Sequence, residues 1–429
     1  YSVVFKKNII DVKKILVVTY YWPPSGGPGV QRVLKFCKYL PKYGWEPIIL
    51  SVSDGDFPVL DDSLRLEVEK FLVFKTKPFS FHKIFNFFNK KKNTPTFQLS
   101  SSFNDSLFVR LSRWIRLNII IPDGRVGWLP GAVKKGNDII RQHKIKAILS
   151  TAPPYTAHLI AKSLSLSNKI PWVADFRDPW TDRFYNFENN RSWVTKKLDK
   201  YLEESVIKTA SRCITVSDGF AKNFNSTFKV IHNGYDEYDF SAFIKNNFKN
   251  FAQKNRKVII SHLGTMTKSQ NPINFFKVVS NLNSAHNIYK IDLIGSIHPD
   301  IISFLKKNNY YDFVSVKPYL NHREAIEKMC NSDFLLLVIP NTEKNNGIIP
   351  GKLFEYIRSS SKIVMIGPRE SDAAKIIKNS DAGRSFHYNE KKSIHKYMIS
   401  KSYPKTKNFN KFSRDNLTHA LSKILNDIT

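Results

Sequence analysis

The sequence predicts an α/β protein of two domains, each built on a parallel β-sheet that is covered by helices. Short apolar runs of strand length alternate with segments of helical periodicity, and this alternation occurs in two successive series. The 429 residues are also too many for one ordinary hydrophobic core. We expect an N-terminal domain at 1–240, a C-terminal domain at 241–405, and a last helix within 406–429 that packs back toward the N-terminal domain.

The segment Lys13–Val52 is the clearest example of the alternation. Ile15–Thr19 is an apolar, β-branched run that predicts a buried strand, and the Gly/Pro loop Pro23–Gly29 follows it. Apolar residues then recur at helical spacing before a second strand, Pro47–Val52. A strand, a glycine loop, a helix and a strand form a βαβ unit of a parallel sheet.

The same pattern continues through the rest of the chain, interrupted by a polar stretch at 244–257 that we interpret as a linker. Helices are predicted near 156–166 and 193–210, from Pro272 and from Arg323, and directly after Pro350. Further strands are predicted at 147–150, 172–176, 213–217, 257–264, 291–295, 314–319, 334–339 and 362–367. Two such series predict two Rossmann-like domains with a cleft between them, and ligands at the carboxyl ends of the strands.

Composition limits the class of protein. The formal net charge of +31 is spread over both halves, which argues against a dedicated basic tail and favours work near phospholipid, phosphorylated substrates or nucleic acid. Three cysteines far apart predict a reducing environment and no structural zinc. The sequence contains no run of about 18 apolar residues, so no transmembrane helix is predicted. The first residues are a poor signal peptide, so we expect a cytoplasmic protein.

An aromatic and basic insertion occupies about 75–120. Phenylalanines alternate with lysines within Phe79–Phe97, and basic residues follow at helical spacing. One interpretation is a surface loop and a helix with a solvated basic face. The other is contact with an anionic membrane or an acceptor, in which aromatics enter the interface and cations meet lipid. The candidates are Phe87, Phe88, Lys90, Lys91, Arg110, Arg113 and Trp114.

A Pro-Gly-Lys sequence begins the helix after Pro350. The first N–H groups of such a helix attract an anion, and Lys352 in the first turn adds a cation that a phosphate would balance. Glu355 lies three residues further on the same side, where a carboxylate can accept hydrogen bonds from a vicinal diol such as ribose. The alternative is a surface Lys–Glu pair.

Two further loops follow predicted strands. The glycine loop that contains Gly26 and Gly27 allows a ligand to approach the backbone closely, although a βα turn alone would also use glycine. In the loop after the strand at 257–264, Lys268 is a plausible diphosphate ligand or a surface lysine.

Charged residues crowd the end of the strand at 172–176, namely Asp175, Arg177, Asp178 and Asp182. They indicate either a functional site or a self-satisfied ion-pair cluster. His158 is more typical of a packed or capping histidine than of a base. The Asp54–Asp56 sequence imitates a metal-binding motif but sits where a turn is expected, so no metal site is predicted.

Taken together, six segments resemble the GT-B glycosyltransferases, in particular the retaining family-four type, over essentially the whole chain. They are TYYWPPSGGPGVQR, STAPPYTAHLIA, PWVADFRDPW, VIHNGYD, HLGTMTK and IIPGKLFEYI. The resemblance implies a nucleotide-diphosphate sugar held mainly by the C-terminal domain and an acceptor held mainly by the N-terminal domain. A lysine and a helix terminus can stabilise the leaving diphosphate without a metal, so we expect no metal or other cofactor.

The resemblance also implies roles for individual residues. Glu355 matches a glutamate that holds the ribose, and Lys268 matches a lysine that holds the diphosphate. Gly26 and Gly27 match glycines near the diphosphate and the transferred sugar, and Asp178 lies where that sugar is touched. Tyr319 lies near the expected base pocket. Thr265, Ile349, Gly351 and Lys352 complete the donor-binding set; Asp178, Lys268 and Lys352 are the catalytic candidates.

Two positions depart from the family pattern. A second glutamate is common eight residues before Glu355, and this chain has Gly347 there. A usual arginine is replaced by Thr265. One diphosphate cation is therefore missing, and Lys352 is the expected replacement.

The resemblance implies a cytoplasmic glycosyltransferase at the membrane face, which builds a surface polysaccharide or glycolipid from a nucleotide sugar. UDP is favoured as the commonest donor of such enzymes. A sugar-nucleotide epimerase of the same fold is the first alternative. A nucleic-acid-binding protein is the second, but the sequence has no recognition helix with an aromatic platform, so we expect no nucleic-acid partner.

Overall fold

A computed structural model describes residues 12–57, 60–61, 64–79, 107–181, 191–222, 224, 228–244, 256–286, 288–400 and 406–429. They belong to two compact units. The N-terminal unit comprises Tyr1–Val216, Asn223–Ile231 and Leu417–Thr429, and the C-terminal unit comprises Ser217–Lys222 and His232–Asn416. The chain therefore first leaves the N-terminal unit at Val216, and most of the expected linker 244–257 lies outside the described residues.

The N-terminal unit contains a parallel sheet whose described strands follow the order β3-β2-β1-β4-β5-β6-β7. The strands are β1 (Lys13–Val18), β2 (Trp45–Val52), β3 (Leu72–Thr76), β4 (Ala147–Ala152), β5 (Trp172–Phe176), β6 (Arg212–Thr215) and β7 (Lys229–Val230). Helices cover both faces of a sheet of this kind, so its central strands are buried along their length. All six residues of β4 are buried, for example.

The C-terminal unit contains a second parallel sheet, with the order β10-β9-β8-β11-β12-β13 among its described strands. The strands are β8 (Val258–Leu263), β9 (Tyr289–Ile294), β10 (Val314–Lys317), β11 (Phe334–Val338), β12 (Lys362–Ile366) and β13 (Gly383–Phe386). In both sheets the first strand lies in the interior, and the strand order reverses next to it. This is the doubly wound Rossmann arrangement.

Helices connect successive strands in both units. In chain order they are α1 (Pro28–Tyr39), α2 (Arg65–Val68), α3 (Leu107–Asn118), α4 (Leu129–His143), α5 (Thr156–Asn168), α6 (Trp193–Thr209), α7 (Asp218–Ala221), α8 (Glu237–Ile244), α9 (Ile273–His286), α10 (Pro299–Lys307), α11 (His322–Asn331), α12 (Lys352–Arg358), α13 (Asp372–Asn379), α14 (Lys392–Met398) and α15 (Arg414–Ile428). None of these described helices is long and apolar enough to span a membrane.

The last helix contributes to the core of the N-terminal unit. Leu417, Leu421 and Leu425 recur every four residues, so they lie on one face of α15 and pack in the core that also contains Val33 and Trp45. The Nε1 of Trp45 also donates a hydrogen bond to Asn426 over 3.1 Å. This helix thus closes one face of the first sheet.

The fold class predicted from the sequence is confirmed, since both units are Rossmann-like α/β structures. One apolar run differs from its appearance in the sequence. Leu117–Ile121 has the length of a strand, but Leu117 and Asn118 end α3, and Ile119 and Ile120 donate backbone hydrogen bonds to Ile115 as a continuing turn.

Candidate functional site

The strand order places a potential binding edge in each unit. Ligands of doubly wound sheets bind at the carboxyl ends of the strands where the strand order reverses. In the C-terminal unit this switch point lies between β8 and β11, and in the N-terminal unit between β1 and β4.

Two glycines end neighbouring strands next to the C-terminal unit's switch point. Gly264 follows β8 with a φ of +103°, and Gly295 follows β9 with a φ of +118°. A Cβ at Gly295 would lie 2.6 Å from the carbonyl oxygen of Gly264. Only glycine therefore suits these two turns, which bring bare backbone to the edge of the sheet.

Lys352 reaches this edge from α12. Its Nζ donates to the carbonyl oxygen of Leu263 over 2.7 Å and lies 3.2 Å from Nε2 of His262. A Cβ on Gly264 would lie 3.7 Å from the same Nζ. The lysine predicted from the Pro-Gly-Lys sequence is therefore held against the end of β8.

His262 is a buried partner of this lysine that the sequence analysis did not single out. Its Nδ1 lies 3.0 Å from the carbonyl oxygen of Leu336 in β11. A carbonyl can only accept, so Nδ1 carries the proton and Nε2 is left to accept from Lys352. The histidine thus links the two strands that flank the switch point to the lysine.

The environment lowers the pKa values of both groups. Burial lowers the pKa of Lys352 to about 7, and the nearby Glu355 carboxylate opposes that change. Burial, and next the charge of Lys352, lower the pKa of His262 well below its usual value. The pair therefore contains a neutral imidazole and a lysine whose charge responds to an approaching anion.

Tyr356 binds the second backbone polar group of Leu263. Its hydroxyl accepts a hydrogen bond from the backbone N–H of Leu263 over 3.0 Å. Lys352 and Tyr356 are four residues apart, so they lie on one face of α12. The first turns of α12 thus hold both polar groups of Leu263, and Glu355 is half-buried beside them.

The position of Gly347 has a packing explanation. A Cβ there would lie 3.0 Å from Cδ1 of Phe220 and 3.4 Å from the backbone carbon of Gly219. Ser217 donates a hydrogen bond to the Gly347 carbonyl over 3.0 Å. The segment that precedes and forms α7 therefore occupies the space that a glutamate at 347 would need.

The other predicted donor-binding residues are divided between the edge and the surface. Gly351 precedes α12 in a helical conformation, and Ile349 is buried. Thr265 and Tyr319 are exposed in the loops after β8 and β10. Lys268 is mostly exposed and forms an ion pair with Asp300 over 2.9 Å, so the structure does not bring Lys268 and Lys352 onto a shared partner.

At the N-terminal unit's edge, a buried ion pair fixes α1 to β5. The guanidinium of Arg32 donates two hydrogen bonds of 2.9 Å to Asp175, and Thr151 donates a third to the same carboxylate over 2.9 Å. Both Arg32 and Asp175 are almost fully buried. Asp175 is thus part of a self-satisfied cluster, which was the alternative that the sequence left open.

Arg177 connects the glycine loop to the end of β5. It donates to the carbonyl oxygens of Ala152 and Pro153, and a Cβ on Gly29 would lie 2.0 Å from its Nη1. Burial lowers the pKa of Arg177, and the Asp178 carboxylate is the main opposing charge. The structure therefore brings Asp178 and the glycine loop to one edge.

The two predicted loop glycines lie at this edge as well. Gly27 has a φ of +97°, and nothing lies within 4 Å of the position that its Cβ would occupy. Its carbonyl accepts from the N–H groups of Val30 and Gln31 at the start of α1. Gly26 precedes it in the same half-buried loop.

His158 is a packed histidine. Its Nδ1 lies 2.7 Å from Oγ of Ser150, and its ring centroid lies 4.4 Å from that of Phe176. Burial lowers the pKa of His158 to about 3. It is neutral at physiological pH and therefore adds no charge to the site.

Most of the membrane or acceptor candidates cannot be placed. Phe87, Phe88, Lys90 and Lys91 lie outside the described residues, as does Asp182, and the side chains of Arg110 and Arg113 are likewise not described. Trp114 is described on α3 and is half exposed. Among the described residues, no three acidic, histidine or cysteine side chains are grouped as a metal site requires.

Two Rossmann-like units with these edges define the GT-B fold class. The chain resembles sucrose-phosphate synthase from Thermosynechococcus elongatus, with a TM-score of 0.64 and 10% identity over 97% of this chain and 98% of that one. It resembles Anabaena HepE, solved with UDP and glucose, with a TM-score of 0.60 and 12% identity over 97% and 99%.

An epimerase has the same fold. The UDP-GlcNAc 2-epimerase from Neisseria meningitidis, solved with UDP-GlcNAc, matches with a TM-score of 0.55 and 11% identity over 96% of this chain and 100% of that one. No family model and no curated protein sequence matches the chain. At these identities the comparisons show the fold alone.

Proposed function

We propose that the protein is a glycosyltransferase that moves a sugar from a nucleotide-diphosphate sugar, favouring UDP, to a glycan or lipid-linked acceptor. The observation that carries this proposal is the Lys352 ammonium, held beside Gly264 at the switch point of the C-terminal unit. A cation beside glycine backbone is suited to binding a pyrophosphate. The carboxylate of Glu355, three residues further along the helix, is suited to accepting hydrogen bonds from a ribose diol.

In this proposal the residues of the candidate site divide the tasks of donor binding. The carbonyl of Leu263 and the imidazole of His262 accept hydrogen bonds from two N–H groups of the Lys352 ammonium, and a phosphate oxygen accepts from the third. Lys268 exchanges its exposed partner Asp300 for the diphosphate. Gly26 and Gly27 let the diphosphate and sugar approach the backbone, and Asp178 positions the transferred sugar. Thr265, Tyr319, Ile349 and Gly351 shape the remainder of the donor site.

The chemistry follows from charge. The bond between the anomeric carbon and the phosphate oxygen breaks, and its electron pair remains on the leaving diphosphate. An acceptor hydroxyl forms the new bond on the same face, which retains configuration, and its proton passes to the released phosphate or to Asp178. Fixed cations at the diphosphate stabilise the charge that develops there by several kcal/mol, so the proposal requires no metal.

A thermal-shift screen tests donor binding. We expect UDP at about 100 times its Kd to stabilise the protein by about 2.7 kcal/mol, which raises Tm by about 5 to 10 °C for units of this size. Glu355→Gln should weaken UDP binding about tenfold or more. Lys290→Met is the matched control, because Lys290 is exposed near the amino end of β9. No shift with UDP, GDP, ADP or dTDP would refute the proposal.

The epimerase is the second candidate, favoured by the similarity to the Neisseria meningitidis enzyme. Proton NMR of the protein with a panel of UDP-sugars separates the two. An epimerase changes the sugar's configuration without an acceptor, whereas a transferase releases UDP at a rate that rises when an extract of lipid-linked glycans is added. Conversion to an epimer with no acceptor dependence would overturn the transferase proposal.

A further inference from the structure

Helix α6 buries a mostly polar side and exposes an apolar side to solvent. Its core-facing side carries Thr195, Asp199 and Glu203, all buried, whereas the opposite side carries large apolar residues in water. Trp193 is 72% exposed and Val194 is 66% exposed. Such residues are normally the buried stripe of a surface helix.

The buried polar side of α6 has a structural task. Glu203 accepts hydrogen bonds from the backbone N–H and the hydroxyl of Thr181, and Asp199 pairs with Arg191 and accepts from Nε1 of Trp180. These carboxylates therefore anchor the chain on both sides of 182–190. With respect to the described part of the chain, the outward apolar side remains exposed, and this exposure requires another explanation.

A second exposed apolar surface adjoins the start of α6. Asn118 at the end of α3 accepts from the N–H of Ser192, and its carbonyl accepts from the Thr195 hydroxyl. The last turn of α3 therefore lies against the first turn of α6. We call the combined surface the Trp193 patch; its large exposed members are Leu111, Trp114, Ile115, Ile119, Trp193, Val194, Leu198 and Tyr201.

The charges around the patch have one dominant sign. On α6 the exposed side chains include Lys196, Lys197, Lys200 and Lys208 against the single acid Glu204. Lys197 lies 5.1 Å from the Trp193 ring centroid, so this cation is part of the apolar face. Arg116 of α3 is exposed as well.

The patch lies near the carboxyl edge of the N-terminal sheet. Arg191, just before α6, donates to the carbonyl of Pro122, and the neighbouring Asp123 accepts from the N–H of Thr156 at the start of α5. Helix α5 begins just after β4 ends, so these contacts bring the first turn of α6 to the edge that carries Gly27 and Asp178.

We propose that the Trp193 patch is a docking surface for an anionic lipid bilayer. Tryptophan, tyrosine and aliphatic side chains enter the interface, and the flanking lysines meet the lipid phosphates. Charge complementarity selects this occupant: an acidic lipid surface balances four lysines, whereas a second copy of the patch would bring like charges together. The inference does not depend on sugar transfer.

Liposome flotation with the full chain tests the docking surface. We expect wild-type protein to bind vesicles with 30% phosphatidylglycerol at ~50 mM salt and to bind neutral phosphatidylcholine vesicles far less. Trp193→Ser with Leu198→Ser should weaken binding at least about tenfold. Lys196→Gln, Lys197→Gln and Lys200→Gln together should weaken it by a similar factor and remove most of its salt dependence.

Leu166→Ser is the matched control, since Leu166 is 61% exposed on α5 outside the patch. Brominated lipids should quench the fluorescence of wild-type protein more than that of Trp193→Phe. Unchanged flotation of the patch variants would overturn the proposal. A patch variant whose Tm falls by several degrees would also overturn it, because another part of this chain would then cover the surface. A patch variant that turns a dimer into a monomer would overturn it as well, because a second copy would then occupy the patch. UDP binding measured on the same variants separates failure here from failure of the proposed function.

Discussion

The Nζ of Lys352 lies 3.2 Å from Nε2 of His262, so a half-buried lysine and a buried histidine share one hydrogen bond at the carboxyl end of β8. The histidine cannot accept a proton easily, because burial and the lysine's charge both lower its pKa. Any proton exchanged at this point is therefore carried by Lys352. Two consequences follow, one for ligand binding and one for stability.

Binding of UDP should take up a proton through Lys352. The pKa of Lys352 is about 7 in the unliganded protein, and a nearby diphosphate favours the charged amine and raises it. Above pH 7 the protein therefore gains up to one proton on binding, and the affinity falls by up to about tenfold per pH unit. Calorimetry at pH 8 in two buffers of different ionisation enthalpy measures the uptake, and this pH lies above the pKa of the UDP phosphate, near 6.

Lys352→Met should abolish this proton uptake and weaken UDP binding, whereas Lys290→Met should retain both. An equal uptake in wild type and Lys352→Met would mean that another group titrates. His262→Ala should keep some affinity but reduce the uptake, because the lysine then loses the acceptor that positions it.

Stability should also depend on pH through Lys352. Its folded pKa of about 7 lies below the ordinary value of about 10.4, so between these values the unfolded chain binds a proton that the folded chain lacks. The free energy of unfolding therefore rises with pH across this window, by at most about 1.4 kcal/mol per unit. Below pH 7 the folded protein carries the charge of the half-buried Lys352, and the gain is lost.

Urea unfolding of wild type and Lys352→Met from pH 6.5 to 9.5 checks this dependence. The difference between the two proteins should grow in favour of wild type as pH rises. Burial also lowers the pKa of Lys362, to about 8, but that lysine is present in both proteins and cancels. Parallel curves would show that Lys352 titrates normally.

Gly347 should resist replacement for steric reasons. A Cβ at Gly219 would lie 2.7 Å from Cα of Gly347, closer than the contacts that a Cβ at Gly347 would make. We expect Gly219→Ala to lower the free energy of unfolding by about 1–3 kcal/mol and Gly347→Ala to lower it by less. Gly124→Ala should stay within about 0.5 kcal/mol, because nothing lies within 4 Å of that position.

Chemical denaturation of the three alanine variants gives this order directly. If Gly347→Ala were as harmless as Gly124→Ala, the close packing of α7 on the 345–347 loop would not explain the glycine. Gly347→Glu should likewise lose stability and gain no donor affinity, since its side chain has no room at this point.

The sequence predicted the strands better than the contacts among them. Runs such as Phe334–Val338 are apolar because both faces of a parallel sheet are covered, so they are visible without the fold. Helix α4 was missed because it contains Gly131 and Gly136. A Cβ at Gly136 would lie 2.6 Å from Leu164 of α5, so that glycine serves a tertiary contact that no local pattern reveals.

In the candidate site too, local sequence features could be predicted and long-range contacts could not. Lys352 was found because a lysine after Pro-Gly is locally unusual. His262 was missed because a single histidine in an apolar strand resembles a packed one, and its partner is 90 residues away. The pairing of Arg32 with Asp175 likewise spans 143 residues. Such contacts depend on the strand order, which the sequence pattern does not specify.

The Arg32–Asp175 pair should be strongly coupled. Both side chains are buried, so removing one leaves an uncompensated charge that water cannot reach. We expect Arg32→Leu and Asp175→Asn each to lower the free energy of unfolding by about 3–5 kcal/mol. The double variant should lose clearly less than the sum, because it buries no unpaired charge. Urea unfolding of the four proteins gives the coupling energy, and Arg141→Leu is the control, since its pair with Asp138 is exposed. Additive losses would show that α1 and β5 are held by other contacts, and the glycine loop before α1 would then not owe its position to this ion pair.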